Sequence, residues 1–291
     1  MKRILFISLC LLMSVTTLLA SGAMRKETRK IGKFSSIKVS NGIRVFLTNG
    51  NSDKAVIESN IEDFRDINIS SSGAALTISL SPFDKRSNAV FKNVSVNVYL
   101  STKTINAIGV SSSGSVTSED KFTGKSLDIK ASSAGAVKMN IDMNEVDVES
   151  SSSSNVKLRG NINELDINSS SASSVDYDGK AQKVEVESSS SSSVNLKDVS
   201  QNAQLSASSA AKIKVTGVSS FCEASTSSSG FIDASAFVCE EVVAKASSGS
   251  TLKVNAVKKM QATASSGAKI YYKGSPVITQ TLSSGAKLVK F

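Results

Sequence analysis

The chain has no histidine and no tryptophan, only two prolines and three cysteines in 291 residues, and 5% aromatics. Without histidine there is no Ser-His or Cys-His nucleophile pair, and most catalytic zinc sites are excluded. No proline lies between Pro82 and Pro276, so every residue of that stretch can donate its backbone N–H to an unbroken ladder. What the chain has in quantity is serine, 59 residues by count. A fifth of a chain in serine can mean disorder. Here hydrophobic residues make up 40% and the mean hydropathy is −0.02, too apolar for a solvated low-complexity polymer. The length suits one or two domains with a sizeable core.

Residues 1–23 read as a secretory signal. Lys2 and Arg3 form a charged start, Ile4–Ala20 is a mostly apolar run, and Ala20-Ser21-Gly22-Ala23 supplies small residues for cleavage. The run is short for a membrane span. Cys10 sits in the middle of it after Leu9, which is the wrong place for lipidation. Removing Lys2 and Arg3 lowers the net charge from +9 to +7. No second hydrophobic span follows, so the remaining chain is expected to cross no membrane. Cys222 and Cys239 survive cleavage. An oxidising compartment permits their pairing, but they occupy different positions in the repeat described next, and two buried thiols are the expectation.

The chain is a tandem array. A short apolar strand follows each serine cluster, beginning at Val116, Val137, Val156, Val175, Val194, Ile213, Ile232, Leu252, Ile270 and Leu288, at steps of 18 to 21 residues. A second strand with period-2 alternation precedes each cluster, as in Leu127/Ile129, Val146/Val148, Leu165/Ile167 and Val184/Val186. Its next inward position is small: Ala131, Ser150, Ser169, Ser188, Ala207, Thr226, Ala246, Ala264. Each unit is thus strand, tight serine corner, strand and looser return. Serine can bond backbone groups that a corner leaves unpaired, and equivalent serines in stacked units can bond each other. Gly114, Gly135, Gly230, Gly249, Gly267 and Gly285 fit corner positions that need a positive φ.

A unit of about 19 residues cannot bury its apolar face alone, and stacking makes one continuous core. The fold class is therefore all-β, a parallel β-helix, right-handed by the crossover preference. Ten coils at about 4.8 Å give a column of about 50 Å. Residues 105–291 are the regular solenoid, and residues 31–104 form a less regular N-terminal β region that caps it. Ile37-Lys38-Val39, Ser40-Asn41-Gly42 and Ile43-Arg44-Val45 already have the strand-corner-strand form, and Ile67–Ile78 around Ser70-Ser71-Ser72-Gly73 repeats it. Pro82–Ala89 reads as a polar loop.

With these residues in hand, the chain resembles the GIN-domain family of exported bacterial proteins, described as adhesin head domains. The segment Phe34–Leu47, above all Asn41-Gly42-Ile43, and the train of serine- and glycine-cornered strands carry the resemblance across about residues 31–288. It implies a right-handed β-helix, export to the periplasm or surface of a Gram-negative cell, and adhesion. It carries over no catalytic or binding residues.

Asp128, Asp147, Asp166 and Glu185 hold the same position in successive units, and Gln204 ends the series. If stacked, they form an outward acidic column with Glu149 and Glu187 beside it. Such a column can hold Ca²⁺, can supply an acid/base pair, or can be a solvated face whose repulsion is screened and relieved by Lys130. The steps leave almost no insertion to wall a substrate cleft. The second strand mixes Lys138, Lys157, Asp176, Asn195, Lys214, Asp233 and Lys253, unlike a nucleic-acid stripe. Phe122, Phe221, Phe231 and Phe237 suit a core or cap, and one of Tyr271 and Tyr272 should face out. The expected function is a non-enzymatic binding module with no cofactor and no nominated catalytic residue, its partner a surface glycan or protein. A structural envelope protein without a ligand, or a carbohydrate-active enzyme, are the alternatives.

Overall fold

The computed structural model describes residues 23–81 and 93–291. The secretory signal expected over residues 1–23, Ala23 apart, and the polar loop expected at Pro82–Ala89 fall outside the described residues. Eight strands build the N-terminal part: β1 (Arg25–Lys30), β2 (Ser36–Val39), β3 (Arg44–Asn49), β4 (Lys54–Ser59), β5 (Ile67–Ser72), β6 (Ala75–Leu80), β7 (Val96–Thr102) and β8 (Ala107–Val110). Eight long strands then follow, one per coil: β9 (Ser115–Ala131), β10 (Ala136–Ser150), β11 (Asn155–Ser169), β12 (Ser174–Ser188), β13 (Ser193–Ala207), β14 (Lys212–Thr226), β15 (Phe231–Ala246) and β16 (Thr251–Ala264). The last strands are β17 (Lys269–Lys273), β18 (Val277–Leu282) and β19 (Lys287–Lys290). From β8 onward all neighbouring strands are parallel, and the chain is a β-solenoid of about ten turns.

Alternation decides what the solenoid encloses. In β10, Val137, Met139, Ile141, Met143, Val146, Val148 and Ser150 are buried. The parity changes at Asn144-Glu145, where two consecutive residues face solvent and the strand bends. The expected looser return is therefore a bent continuation of the ladder rather than a loop. The small inward positions from Ala131 to Ala264 are all buried, at the narrow end of the lumen.

That narrow end is the serine corner. Ser151–Ser154 is a four-residue turn closed by Ser154 N–H to Ser151 O at 3.1 Å. Its middle residues, Ser152 and Ser153, have φ of 51° and 62°, which makes it a type I′ turn. The same pair recurs from Ser112/Ser113 to Ser284/Gly285, and Asn41/Gly42 starts the series. A left-handed non-glycine residue costs about 1 kcal/mol, and bonds between coils offset it. Ala134 N–H donates to Ser152 O, Ser153 to Ser171 O and Ala172 to Ser190 O, each at 3.0 Å.

The hydroxyls act differently from the expected serine-to-serine ladder. Neighbouring turns are joined by backbone bonds. Buried hydroxyls pair within one coil, Ser150 with Ser154 at 2.8 Å and Ser169 with Ser173 at 2.9 Å, while Ser250 bonds Thr226 of the preceding coil at 2.9 Å. The second of each pair also donates to a carbonyl of the preceding coil, Ser154 to Ala131 O and Ser173 to Ser150 O. Gly114, Gly135 and Gly230 occupy this closing position, not the positive-φ one. A Cβ at Gly230 would lie 2.3 Å from Ala207 O, whereas other coils place there a serine that bonds the carbonyl, as Ser154 does, or an alanine, as at Ala211 and Ala268. Gly249, Gly267 and Gly285 do have positive φ.

The N-terminal part departs further from the repeat. The coil of β2 and β3 lies between β6/β7 on one side and β8/β9 on the other. The second coil in space is thus the first in sequence. β1 pairs with β4, β4 with β7 and β5 with β6, all antiparallel. Ile67–Ile78 is accordingly a hairpin turning at Gly73, not a corner of the column. Its serines lie on the exposed strand β5.

These contacts separate two kinds of glycine. A Cβ at Gly217 would fall 2.1 Å from Val199 O at a φ of +135°, so Gly217→Ala should cost more than about 3 kcal/mol in urea unfolding. Gly249 has φ +67° and nothing within 4 Å of a Cβ, and Ala134, Ala172 and Ala210 fill equivalent positions. Gly249→Ala should cost about 1 kcal/mol. Equal losses at both positions would contradict the described corners.

Candidate functional site

The four acidic residues stack in register: Asp128 opposite Asp147, Asp147 opposite Asp166, and Asp166 opposite Glu185, with Gln204 next. Alternation sends them outward from β9 to β12 while Leu127, Val146, Leu165 and Val184 fill the lumen. Two columns flank them. One runs Ser126, Glu145, Glu164, Lys183, and the other Lys130, Glu149, Asn168, Glu187. One face of four coils thus carries eight carboxylates and two lysines, on a chain whose net charge is +9. The charges are more segregated than their spacing in sequence suggests.

Both lysines are engaged. Lys130 meets Glu149 at 2.8 Å, as expected, and Lys183 meets Glu164 at 2.7 Å. Among the described residues, no lysine or arginine forms an ion pair with the central column. Partial burial, then the carboxylates of Asp128 and Glu145, hold the Asp147 carboxyl above its ordinary value. Partial burial, then Glu185 and Asp147, do the same to Asp166. A shallow groove of about 290 Å³ runs between Glu145, Asp147, Glu164, Asp166, Lys183 and Glu185. A line of carboxylates at strand spacing lies side by side rather than around a point. Among the described residues, no group of three or more Asp, Glu, Cys or His side chains converges as a metal-ligand set.

The other flanks are mixed. The second-strand column runs Lys138, Lys157, Asp176, Asn195, Lys214, Asp233, Lys253 in register. Lys138 is paired with Glu119 at 2.5 Å, and Asn195 donates to Asp176 at 2.8 Å. At the bend, Asn163 donates to Asn144 at 2.8 Å and Gln201 to Gln182 at 3.4 Å. Sequence reasoning passed over this amide column, though its constant offset of 19 residues was visible.

The aromatic residues divide between the lumen and the surface. Phe122 and Phe237 are fully buried, and Phe221 and Phe231 half-buried. Tyr271 and Tyr272 are both half-buried. Tyr272 packs on the core, and Tyr271, in register with the outward Lys253, is the one that faces out and meets Phe291 edge-on at 6.0 Å. Cys222 and Cys239 are buried free thiols on neighbouring coils, and the thiol contact with Cys239, then burial, pushes Cys222 up. Tyr177, fully buried, reaches the Gly160 carbonyl with its hydroxyl at 2.8 Å.

A raised carboxyl means that the folded chain binds protons before the unfolded chain does. The associated stability is full below the ordinary value of 3.8 and is lost as pH rises through the raised folded values. The double substitution Asp147→Asn/Asp166→Asn should therefore stabilise the protein at pH 7 by about 0.5 kcal/mol, given surface screening. The gain should shrink toward pH 4 and in high salt. Urea unfolding at several pH values reads it, and a net loss at pH 7 would contradict the repulsive column.

The family described as "Putative auto-transporter adhesin, head GIN domain" matches residues 33–197 and 170–276. No curated protein matches the chain. Among solved structures it is similar to a "putative adhesin" from Parabacteroides merdae ATCC 43184, at 18% identity and TM-score 0.55, covering 93% of this chain and 97% of that one. A "putative lipid binding protein" and a "putative adhesin" from Parabacteroides distasonis ATCC 8503 align at 16% and 15% identity. Their TM-scores are 0.48 and 0.49, with 93% of this chain and 98% of each covered. The first likeness shows the solenoid fold, and the family match, which spans most of the chain, places the protein in the head GIN-domain family.

Proposed function

We propose that the chain is an exported, non-enzymatic module that binds another surface component along its flank, in the manner of an adhesin. The observation that carries this reading is the uninterrupted column. From the corner at Ser111 to that at Ala268, each coil passes to the next through a four-residue turn and a continuous bent strand, and in the last coil the strand breaks at 274–276 between β17 and β18. Among the described residues of these coils no loop rises to wall a cleft, and without walls a surface neither orients a substrate nor excludes water. A rigid flank instead suits many weak contacts, with affinity from repetition. A surface glycan or protein is the partner class. The mixed second-strand flank favours neither over the other and offers nucleic acid no uniform basic stripe.

Export is supported by the sequence of residues 1–23 and by the family's description as an adhesin head. No helix among the described residues is long and apolar enough to cross a membrane. Protease shaving of intact cells tests the reading, with an antibody to the column and a periplasmic control. The adhesin reading expects loss of the signal while the control survives. Survival of both would remove that reading and leave a structural envelope protein.

A further inference from the structure

Two of the chain's few aromatic residues stand outside the column on a flat sheet face. Phe46 on β3 and Tyr99 on β7 stack across strands, with ring centroids 5.2 Å apart and an interplanar angle of 18°. They are 36% and 40% exposed. Their row continues to Thr117 on β9, a small side chain beside the outer face of Phe46. The next row, two residues earlier along β3, reads Glu58, Asn97, Arg44. An apolar row of rings thus lies against a row of hydrogen-bonding groups.

Arg44 is the unusual member of that second row. Its Nε donates to Asn97 Oδ1 at 2.9 Å, and a terminal nitrogen donates to Ser95 Oγ. Both partners are neutral, and Arg44 makes no ion pair among the described residues. The guanidinium is held in place with three of its five donors unspent and its charge uncompensated. Glu58, by contrast, is engaged, accepting from the Tyr99 hydroxyl at 3.0 Å and meeting Lys26 at 3.5 Å.

We infer that this face binds a glycan through a sugar that carries a carboxylate, of the uronic or sialic acid class. This inference rests on the adhesin reading above and names its ligand. The outer face of Phe46, beside the small Thr117 and backed by the Tyr99 ring, suits the C–H face of a pyranose. The fixed planar fork of Arg44 suits a carboxylate, two N–H groups to two oxygens. Asn97 and Glu58 supply a donor and an acceptor for hydroxyls, and a pre-ordered site loses less entropy on binding. A neutral sugar would leave the Arg44 charge unmatched. A protein partner would need about 800 Å² on this side, far more than two half-exposed rings offer.

Isothermal titration of the full chain with a galacturonate oligosaccharide, sialyllactose and lactose tests this, with Arg44→Gln, Phe46→Leu and Tyr99→Leu as variants. The leucine substitutions keep an apolar side chain and remove the ring, and thermal unfolding checks that each variant is folded. The expected result is binding of an acidic saccharide at least tenfold tighter than lactose. Arg44→Gln should erase that preference, either leucine variant should weaken binding at least tenfold, and Lys258→Gln in the far coils should leave it unchanged. No saccharide binding, equal binding of lactose, or acidic binding indifferent to Arg44→Gln would overturn the inference. Surface exposure in the shaving experiment without saccharide binding would overturn this site and leave the adhesin reading standing. Saccharide binding by a protein that is protected from protease would do the reverse.

Discussion

The backbone hydrogen bond from one left-handed corner to the next is the constraint on which the column depends. A parallel sheet has no hairpin to fix its register, so every coil must return to the same place before its strands can pair. The corner supplies that return. Its two left-handed residues turn the chain in four positions, and the second of them bonds the first of the following coil, as Ala134 does with Ser152. Each corner is therefore stable only as a member of a stack, and the stack is what closes the lumen around the apolar side chains. Serine suits the corner because its small hydroxyl can serve a carbonyl inside the narrow lumen, as Ser154 and Ser173 do. Among the described residues, no buried side-chain polar atom lacks a partner.

The same constraint shapes the surface. A fixed return places residue i of one coil against residue i of the next, so any residue type repeated at the coil length becomes a column. The acidic column from Asp128 to Glu185, the amide column from Asn144 to Gln201 and the mixed Lys138 column are three results of one geometry. Repulsion along the acidic column is a cost that a solvated face tolerates and that the lysines on either side reduce. Concave chemistry is what this geometry cannot easily build, because turns of constant length leave nothing standing above the sheet. Recognition by such a surface depends on repetition or on an irregular part of the chain. The irregular part is the N-terminal end, where the antiparallel pairing of β4 with β7 and the parallel pairing of β7 with β3 bring Glu58, Asn97 and Arg44 into one row.

That contrast also explains what the sequence made legible. The repeat of small inward residues from Ala131 to Ala264 and the fixed offset of the acidic residues give the fold and the column directly, since stacking turns sequence period into spatial neighbourhood. The N-terminal order is different. Nothing local in Ile37–Val45 says that β6 and β7 will lie on one side of it and β8 on the other. Ile67–Ile78 has the alternation and serines of a corner, yet Gly73 makes it a hairpin. Phe46 and Tyr99 are 53 residues apart and at no multiple of the repeat, so their stacking had no signal in the spacing. The glycines at 160, 179 and 217 were equally silent. Each is needed because a Cβ would strike a carbonyl or backbone atom of the preceding coil within about 2 Å, a contact that only the assembled stack creates.

Hydrogen exchange of the corner amides tests the account most directly. If backbone bonds between corners hold the coils in register, the amide protons of Ala134, Ser153, Ala172 and Ser191 should be protected as strongly as those of the buried strand residues Val148 and Ile167, although the corner side chains themselves face solvent. Corner amides that exchange as fast as open loops, beside protected strands, would contradict it. The column would then be held by its apolar lumen alone, with the serine turns as mere connectors.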